Sequence, residues 1–412
     1  MHSDDHRVMT ADVGGARVGV VTSVPFFLVT QLRGQLRSLQ KRGIYVLAIT
    51  AVGPELAQIM WGKCLKHVAV DIRRRPAPWR DVLALIKLVA IFRRHKLHVV
   101  HSTTPKAGLL TAIAAWLARV PVRLHTFTGQ QWVTMSGPLR WVSRWSDRMI
   151  ARLNTRVYAD SPSQRQFLID ERIVPADRIG IIGAGSLAGV DMRRFSRDRF
   201  TDAQREKLRI KLGVAPEAVI VTFIGRITGD KGIHELLGAI SSLRDQGHRV
   251  DLVLIGPMDL ALETSRSERA DTIGTRLWRR KYIHAVGYTD VPEHYLTITD
   301  ILCLPSYREG FGTVVIEAAA MGVPTVGTRI TGLSDAVIDE VTGLLVPPRD
   351  ADALAVALRR LIADPVLRRR LGEAAHKRCA EQFDSGIANR KLVEEYARLL
   401  SAARLSGVHE HR

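Results

Sequence analysis

Two glutamates eight positions apart, Glu309 and Glu317, lie in the stretch SYREGFGTVVIEAAAMGVPTVGT from Ser306 to Thr328. The run DILCLPS before them reads as a buried strand, REGFG as the turn at its carboxyl end, and TVVIEAAAMG as a helix closed by Gly322 and Pro324. Glu309 is then at the strand tip and Glu317 near the second turn of the helix. Eight residues exceed the reach of an i,i+4 pair, so the acids would touch different parts of one extended ligand. Gly310 and Gly312 let backbone N–H groups come close at the positive end of that helix, which suits a phosphate or a sugar hydroxyl. The plainer alternative makes Glu309 a solvated turn acid and Glu317 an exposed helix acid.

The elements that must hold these residues repeat along the chain. Strand-like runs alternate with helix-period segments from RVGVVTS through IYVLAIT, KHVAVD, KLHVVHS, PVRLHTF and TRVYAD to RIGIIG. Such repetition gives a parallel sheet covered on both faces. Dense charge without a strand marks a linker near residues 190–215, and a second series then runs from VIVTFIGR through VDLVLIG, YIHAVG and DILCLPS to VPTVGT. Three helical segments finish the chain, from Ala351 to Ala402. The fold class is α/β, as two doubly wound domains whose ligands lie outside the strands' carboxyl ends, in a cleft between the sheets.

Composition narrows the class. The 412 residues, 46% of them hydrophobic, can bury two cores of ordinary domain size. Cys64, Cys303 and Cys379 are odd in number and scattered, without disulfide or metal-ligand spacing, which fits a reducing cytosol. No signal-peptide pattern opens the chain and no run approaches a membrane span, so a soluble or peripheral protein is expected. The formal charge of +19 is one-sided: residues 1–195 hold 29 Lys+Arg against 12 Asp+Glu, and the remainder is nearly balanced. An anionic partner is therefore expected for the N-terminal half. Nucleic acid is the poor candidate, because the chain lacks zinc-finger spacing, RNA-recognition aromatics and a convincing reading helix.

The stretch around Glu309 and Glu317 resembles the E-x7-E signature of retaining glycosyltransferases of family 4, which have the GT-B fold of two Rossmann-like domains. FIGRITGDKG resembles the first strand, loop and helix of that family's nucleotide domain, and the sequence from VGYTDVPEHY to DADALAVAL follows the pattern almost continuously. HSTTPKAGLL, PVRLHTFTGQ and ADSPSQRQFLIDERIV resemble the subgroup that builds capsules, exopolysaccharides and O-antigens. Residues 1–16 read as a disordered segment, and the resemblance implies an acceptor domain 17–195, a nucleotide-sugar donor domain 196–385, and a helix in 386–412 that crosses back to the first domain. It places Arg226 and Lys231 on the donor diphosphate, Glu317 on the ribose, Glu309 on the donor sugar, and the backbone of Phe311, Gly312 and Thr313 at the sugar or distal phosphate. His125, at the end of PVRLHTF, would face the cleft near the reacting carbon, with His101 a weaker candidate. Catalysis would rest on His125 and Glu309. The donor would be a UDP-sugar and the reaction retaining and front-side. Neither a metal nor another cofactor is expected. A GT-B epimerase or hydrolase using the same nucleotide site is the enzymatic alternative.

The helix PLRWVSRWSDRMIARL places Arg140, Arg144, Arg148 and Arg152 at four-residue spacing beside Trp141, Trp145 and Met149. WRDVLALIKLVAIFRRHK is a second apolar and basic segment, preceded by Arg73, Arg74 and Arg75. Both suit an anionic membrane surface on the cytoplasmic side, and both also suit ordinary helices covering a sheet. A polyprenyl-pyrophosphate-linked saccharide as acceptor would account for the charge.

Overall fold

The computed structural model describes residues 15–59, 63–73, 77–258 and 280–409. Of the segments singled out above, residues 1–14 and Arg74 and Arg75 lie outside the described residues.

Two all-parallel sheets organise the chain. The first has seven strands in the order β3-β2-β1-β4-β5-β6-β7. These are β1 Arg17–Val21, β2 Tyr45–Thr50, β3 Leu65–Ala69, β4 Val99–Ser102, β5 Val122–Phe127, β6 Arg156–Ala159 and β7 Ile179–Ile181. The second has six, β8 Val219–Ile224, β9 Val250–Ile255, β10 Ile283–Gly287, β11 Ile301–Leu304, β12 Thr325–Thr328 and β13 Gly343–Val346, in the order β10-β9-β8-β11-β12-β13. Each order reverses once, between β1 and β4 and between β8 and β11. At such a point neighbouring loops diverge and open a crevice at the strand tips.

The strands are short and apolar because helices cover both of their faces. In the first domain the helices Pro78–His95 and Pro105–Leu117 bury Leu88, Phe92 and Ala107 against Val21, Leu47 and Val100 on one face. On the other face Leu36 and Leu39 of the helix Arg33–Lys41 meet Leu392, Val393 and Tyr396 of the last helix, Ser385–His409. The last described helix therefore packs on the first domain. The Tyr396 hydroxyl lies 2.8 Å from His101 Nδ1, and the Tyr158 hydroxyl donates to Glu395 at 2.5 Å.

The charged segment 190–215 is more ordered than a linker. Val190 and Phe195 join the core of the second domain, and Asp202–Leu212 is a helix opened by a capping box between Thr201 and Gln204. Gly213 ends it at φ 73°, a left-handed conformation that glycine adopts without strain. Charge density hid the helix because all of its apolar residues stay partly exposed.

Candidate active site

In the second domain the candidate side chains collect at the tips of β8 and β11. Gly232, at φ 69°, passes so close to β11 that a Cβ there would sit 2.0 Å from the Pro305 carbonyl oxygen. This approach carries Lys231 onto the loop after β11, where its Nζ lies 2.6 Å from Glu309 Oε1. The Ser306 hydroxyl donates to the same oxygen at 2.7 Å. Arg226 is half exposed and reaches Asp230 at 3.8 Å, while Arg308 approaches Asp230 at 3.7 Å. Burial works to raise Asp230, yet the Thr228 hydroxyl and the charges of Arg226, Lys231 and Arg308 outweigh it and hold the carboxyl below its usual range. Three cations thus face two carboxylates, and the excess is positive.

Gly312, at φ 86°, caps the helix Thr313–Ala320, whose first backbone N–H groups point toward the strand tips. The Phe311 ring is buried against Phe383 at 5.1 Å, so only its backbone is left for a ligand. Glu317 is in the second turn of this helix. Burial pushes its carboxyl up to about 7, opposed by Arg194 and reinforced by Glu293. Arg194 Nη2 lies 2.8 Å from Glu293 Oε2 and donates to the Asp290 carbonyl. Sequence reasoning missed the pairing of Arg194 with Glu293 because the first was assigned to a linker and the two are 99 residues apart.

The N-terminal side differs from the expectation in one respect. Strand β5 runs on to Phe127, so His125 lies two residues inside it and does not face the cleft. Its ring is buried under Gly108 of the helix Pro105–Leu117, with Nδ1 2.9 Å from the Ser102 hydroxyl and Phe127 at 4.6 Å between centroids. Burial, with His101 adding, pulls His125 down to about 3. His101 is likewise buried and neutral, between Tyr396 and Thr126 at 2.8 Å each. The residues actually at the tip of β5 are Thr128 and Gly129.

Those two residues meet the second domain. A Cβ on Gly310 would stand 2.3 Å from the Thr128 carbonyl oxygen, and a Cβ on Gly129 would stand 3.2 Å from the Gly310 nitrogen. Nearby, the Ser163 hydroxyl accepts from Gly332 N and Ser163 N donates to Asp335, both at 2.8 Å. Phe26, after β1, meets Tyr288, after β10, with ring centroids 5.6 Å apart. The cleft is therefore bridged on both flanks, and the turn carrying Glu309 touches the loop after β5. Lys231 and Glu309 are brought together directly, Arg226 joins them through Asp230, and Glu317 stands apart with Arg194.

Comparison with known proteins decides the family. The model for glycosyl transferases group 1 matches residues 204–378, and the glycosyl transferase 4-like domain matches residues 28–185. A capsular polysaccharide biosynthesis glycosyltransferase, CapM of Staphylococcus aureus, is 30% identical over 380 residues, spanning 92% of this chain and 95% of that protein. The chain is a family 4 glycosyltransferase. The UDP-Gal:alpha-D-GlcNAc-diphosphoundecaprenol alpha-1,3-galactosyltransferase of Escherichia coli is 25% identical, over 77% of this glycosyltransferase and 78% of its own length. Among solved structures, Anabaena HepE in complex with UDP aligns at a TM-score of 0.73 and 20% identity, over 93% of this chain and all of that one. A Rickettsia africae glycosyltransferase aligns at 0.74 and 21%, over 94% and 99%. The fold of this glycosyltransferase is accordingly GT-B, with the crevices of both sheets turned toward one cleft.

Proposed function

We propose that this glycosyltransferase moves a hexose or N-acetylhexosamine from a UDP-sugar to a lipid-linked saccharide during cell-surface polysaccharide synthesis, with retention at the anomeric carbon. The observation that carries the reading is the Lys231–Glu309 pair, set at a strand tip whose next residue, Gly310, touches the opposite domain. On donor binding Lys231 and Arg226 receive the diphosphate, the first N–H groups of Thr313–Ala320 and the backbone of Phe311 and Gly312 meet its distal oxygens, and Glu317 takes the ribose hydroxyls. Glu309, released by Lys231, takes hydroxyls of the sugar.

Glu309 is a poor covalent nucleophile in this setting, since a cation and a hydroxyl already occupy one of its oxygens. A front-side course fits better. The bond from the anomeric carbon to the phosphate oxygen breaks, the acceptor oxygen adds on the same face, and its proton passes to the departing phosphate. Fixed cations stabilise the charge gained by the leaving group, so activity should survive EDTA. His125 has no part in this scheme. The names of the E. coli relative and of the Anabaena complex favour UDP, and that of the E. coli relative favours an acceptor on a polyprenyl diphosphate. Such an acceptor would hold the enzyme against the cytoplasmic face of a membrane.

The test is a product assay with UDP-, GDP- and ADP-sugars and a polyprenyl-diphosphate-linked saccharide, reading the anomeric configuration of the new linkage by NMR. Acceptor-dependent release of UDP with an axial product supports the reading. Release of UDP at the same rate without acceptor would replace it by the hydrolase or epimerase alternative.

A further inference from the structure

The described apolar side chains exposed at the surface are unevenly placed. Trp79, Val82, Leu83 and Ile86 form an i, i+3, i+4, i+7 stripe on Pro78–His95, exposed by 85, 49, 58 and 59%. Leu139, Trp141, Val142 and Trp145 form a second exposed apolar patch on Gly137–Leu153, spaced i, i+2, i+3, i+6, at 68, 66, 52 and 46%. Val133 and Met135, just before the second helix, are exposed as well. Both stripes occupy the first nine residues of their helices. In a parallel α/β sheet each covering helix runs against the strands, so its first turns lie at the strand tips. The two ridges therefore stand at the mouth of the cleft, on either side of Pro105–Leu117, against which both helices pack.

Charge around the ridges is predominantly positive. Residues 77–153 hold twelve Lys and Arg against two acids, and both acids are engaged: Asp81 with Lys106 at 2.7 Å, and Asp147, buried, with the Trp132 indole at 2.8 Å. Lys87, Arg93, Arg94, Arg119 and Arg140 are exposed, as is Arg80, which lies 3.8 Å from Asp71. The four-residue arginine row is not all free, because Arg144 pairs with Glu171 and stacks on Trp132 while Arg148 donates to the Arg172 carbonyl.

We infer that these two ridges form a docking face for an anionic lipid bilayer, with indoles and aliphatic side chains in the headgroup boundary and the flanking cations on lipid phosphates. This deepens the membrane part of the proposed function by naming the surface that meets the bilayer. Seated this way, the enzyme turns its cleft mouth to the bilayer, so the diphosphate of a membrane-embedded acceptor reaches Thr128 and Gly129 without its chain leaving the lipid.

The test is co-sedimentation with phosphatidylglycerol/phosphatidylcholine vesicles, alongside phosphatidylcholine alone. The wild type is expected to bind only the anionic vesicles, and brominated lipid to quench its tryptophan emission. Leu83→Asn/Ile86→Asn and Trp141→Ser/Trp145→Ser should each weaken partition by about tenfold or more. Val366→Asn and Ile210→Asn, at residues equally exposed on the other domain, should leave it unchanged. Retained protection of the ridge variants by UDP shows that they are folded, and their transfer to a detergent-solubilised short-chain acceptor should persist. A wild type that ignores anionic vesicles, or ridge variants that bind them like the wild type, overturns the inference. Light scattering that shows a dimer dissolved by these substitutions also overturns it, by making the face a self-association surface. Failure of UDP to protect the wild type while vesicle binding persists would sink the donor assignment and leave the docking face standing.

Discussion

The two sets of strand tips that face each other across the cleft are chemically unlike. On the C-terminal side they are ionic: Arg226, Asp230, Lys231 and Glu309, with Glu317, Arg194 and Glu293 behind them. On the N-terminal side they carry hydroxyls, at Thr103, Thr104, Thr128, Ser161 and Ser163. Of the acids there, Asp160 is buried and pushed up to about 7 and Asp81 is paired with Lys106, while the two histidines beneath are held neutral. In the proposed scheme the ionic side would meet a leaving group that gains charge, and the other side a neutral nucleophile, a sugar hydroxyl. The positive excess of the N-terminal half is spent on its outer helices instead.

The comparison breaks first at its ionic side. Lys231→Ala removes both the counter-ion of Glu309 and a cation from the leaving group, and should lower kcat by about 10²- to 10³-fold. Glu309→Gln should lower kcat comparably while UDP still raises the melting temperature, since Glu309 is assigned to the sugar. Wild-type turnover in both variants would reduce the pair to a structural ion pair. Gly310→Ala probes the seam between the two kinds of tip. The new methyl group would stand 2.3 Å from the Thr128 carbonyl oxygen, so the two loops must separate. A misplacement approaching 1 Å costs about 10²-fold in kcat, with UDP affinity unchanged because the nucleotide contacts lie on one side. A parallel loss of UDP affinity would show that the seam belongs to the donor site.

Much of this was legible in sequence because it is local. Strand, glycine turn and small-residue helix follow one another directly from Asp300 to Met321, so the positions of Glu309, Gly312 and Glu317 could be read off. Alternating apolar runs likewise revealed both sheets. What failed depends on contacts distant in the chain. His125 looked like a tip residue because an apolar run does not reveal where its strand stops, and β5 continues two residues further to Phe127. Arg194 joins Glu293 across 99 residues, and no spacing rule connects them. The arginine row of Gly137–Leu153 has a helical period, yet its second and third members are tied down by Glu171 and Arg172, which lie on another element.

Glu317 sharpens the comparison through pH. Its carboxyl sits at about 7 against an ordinary 4.5, chiefly through burial. Between these values the folded protein keeps a proton that the unfolded chain releases, so this residue's contribution to stability falls as pH rises through that window. Glu317→Gln should therefore melt above the wild type at pH 8, with the difference shrinking toward pH 5. UDP affinity should move the opposite way. The carboxylate proposed to accept ribose hydroxyls is populated only above about 7, so wild-type affinity should rise from pH 6 to pH 8 while that of Glu317→Gln is lower and flat. A wild type whose stability advantage over the variant grows with pH would contradict the buried-acid assignment.

The smallest effect belongs to the uncharged side. Burial holds His101 at about 4 and His125 at about 3, so the folded protein excludes protons that the unfolded chain takes up below about 6.5. The stability due to these rings is complete above that pH and is lost as pH falls through 6.5 toward 4 and below. Tyr396→Phe leaves His101 Nδ1 buried without its partner on the last helix, a loss of about 1–3 kcal/mol. It should lower the melting temperature at pH 7.5, where the ring is neutral, and leave kcat unchanged, because His101 touches neither substrate in the proposed scheme. The C-terminal helix would then be a clasp for the N-terminal sheet. A drop in kcat larger than the drop in folded fraction would instead show that the clasp sets the relative position of the two domains, and would join the neutral side of the cleft to the catalytic step.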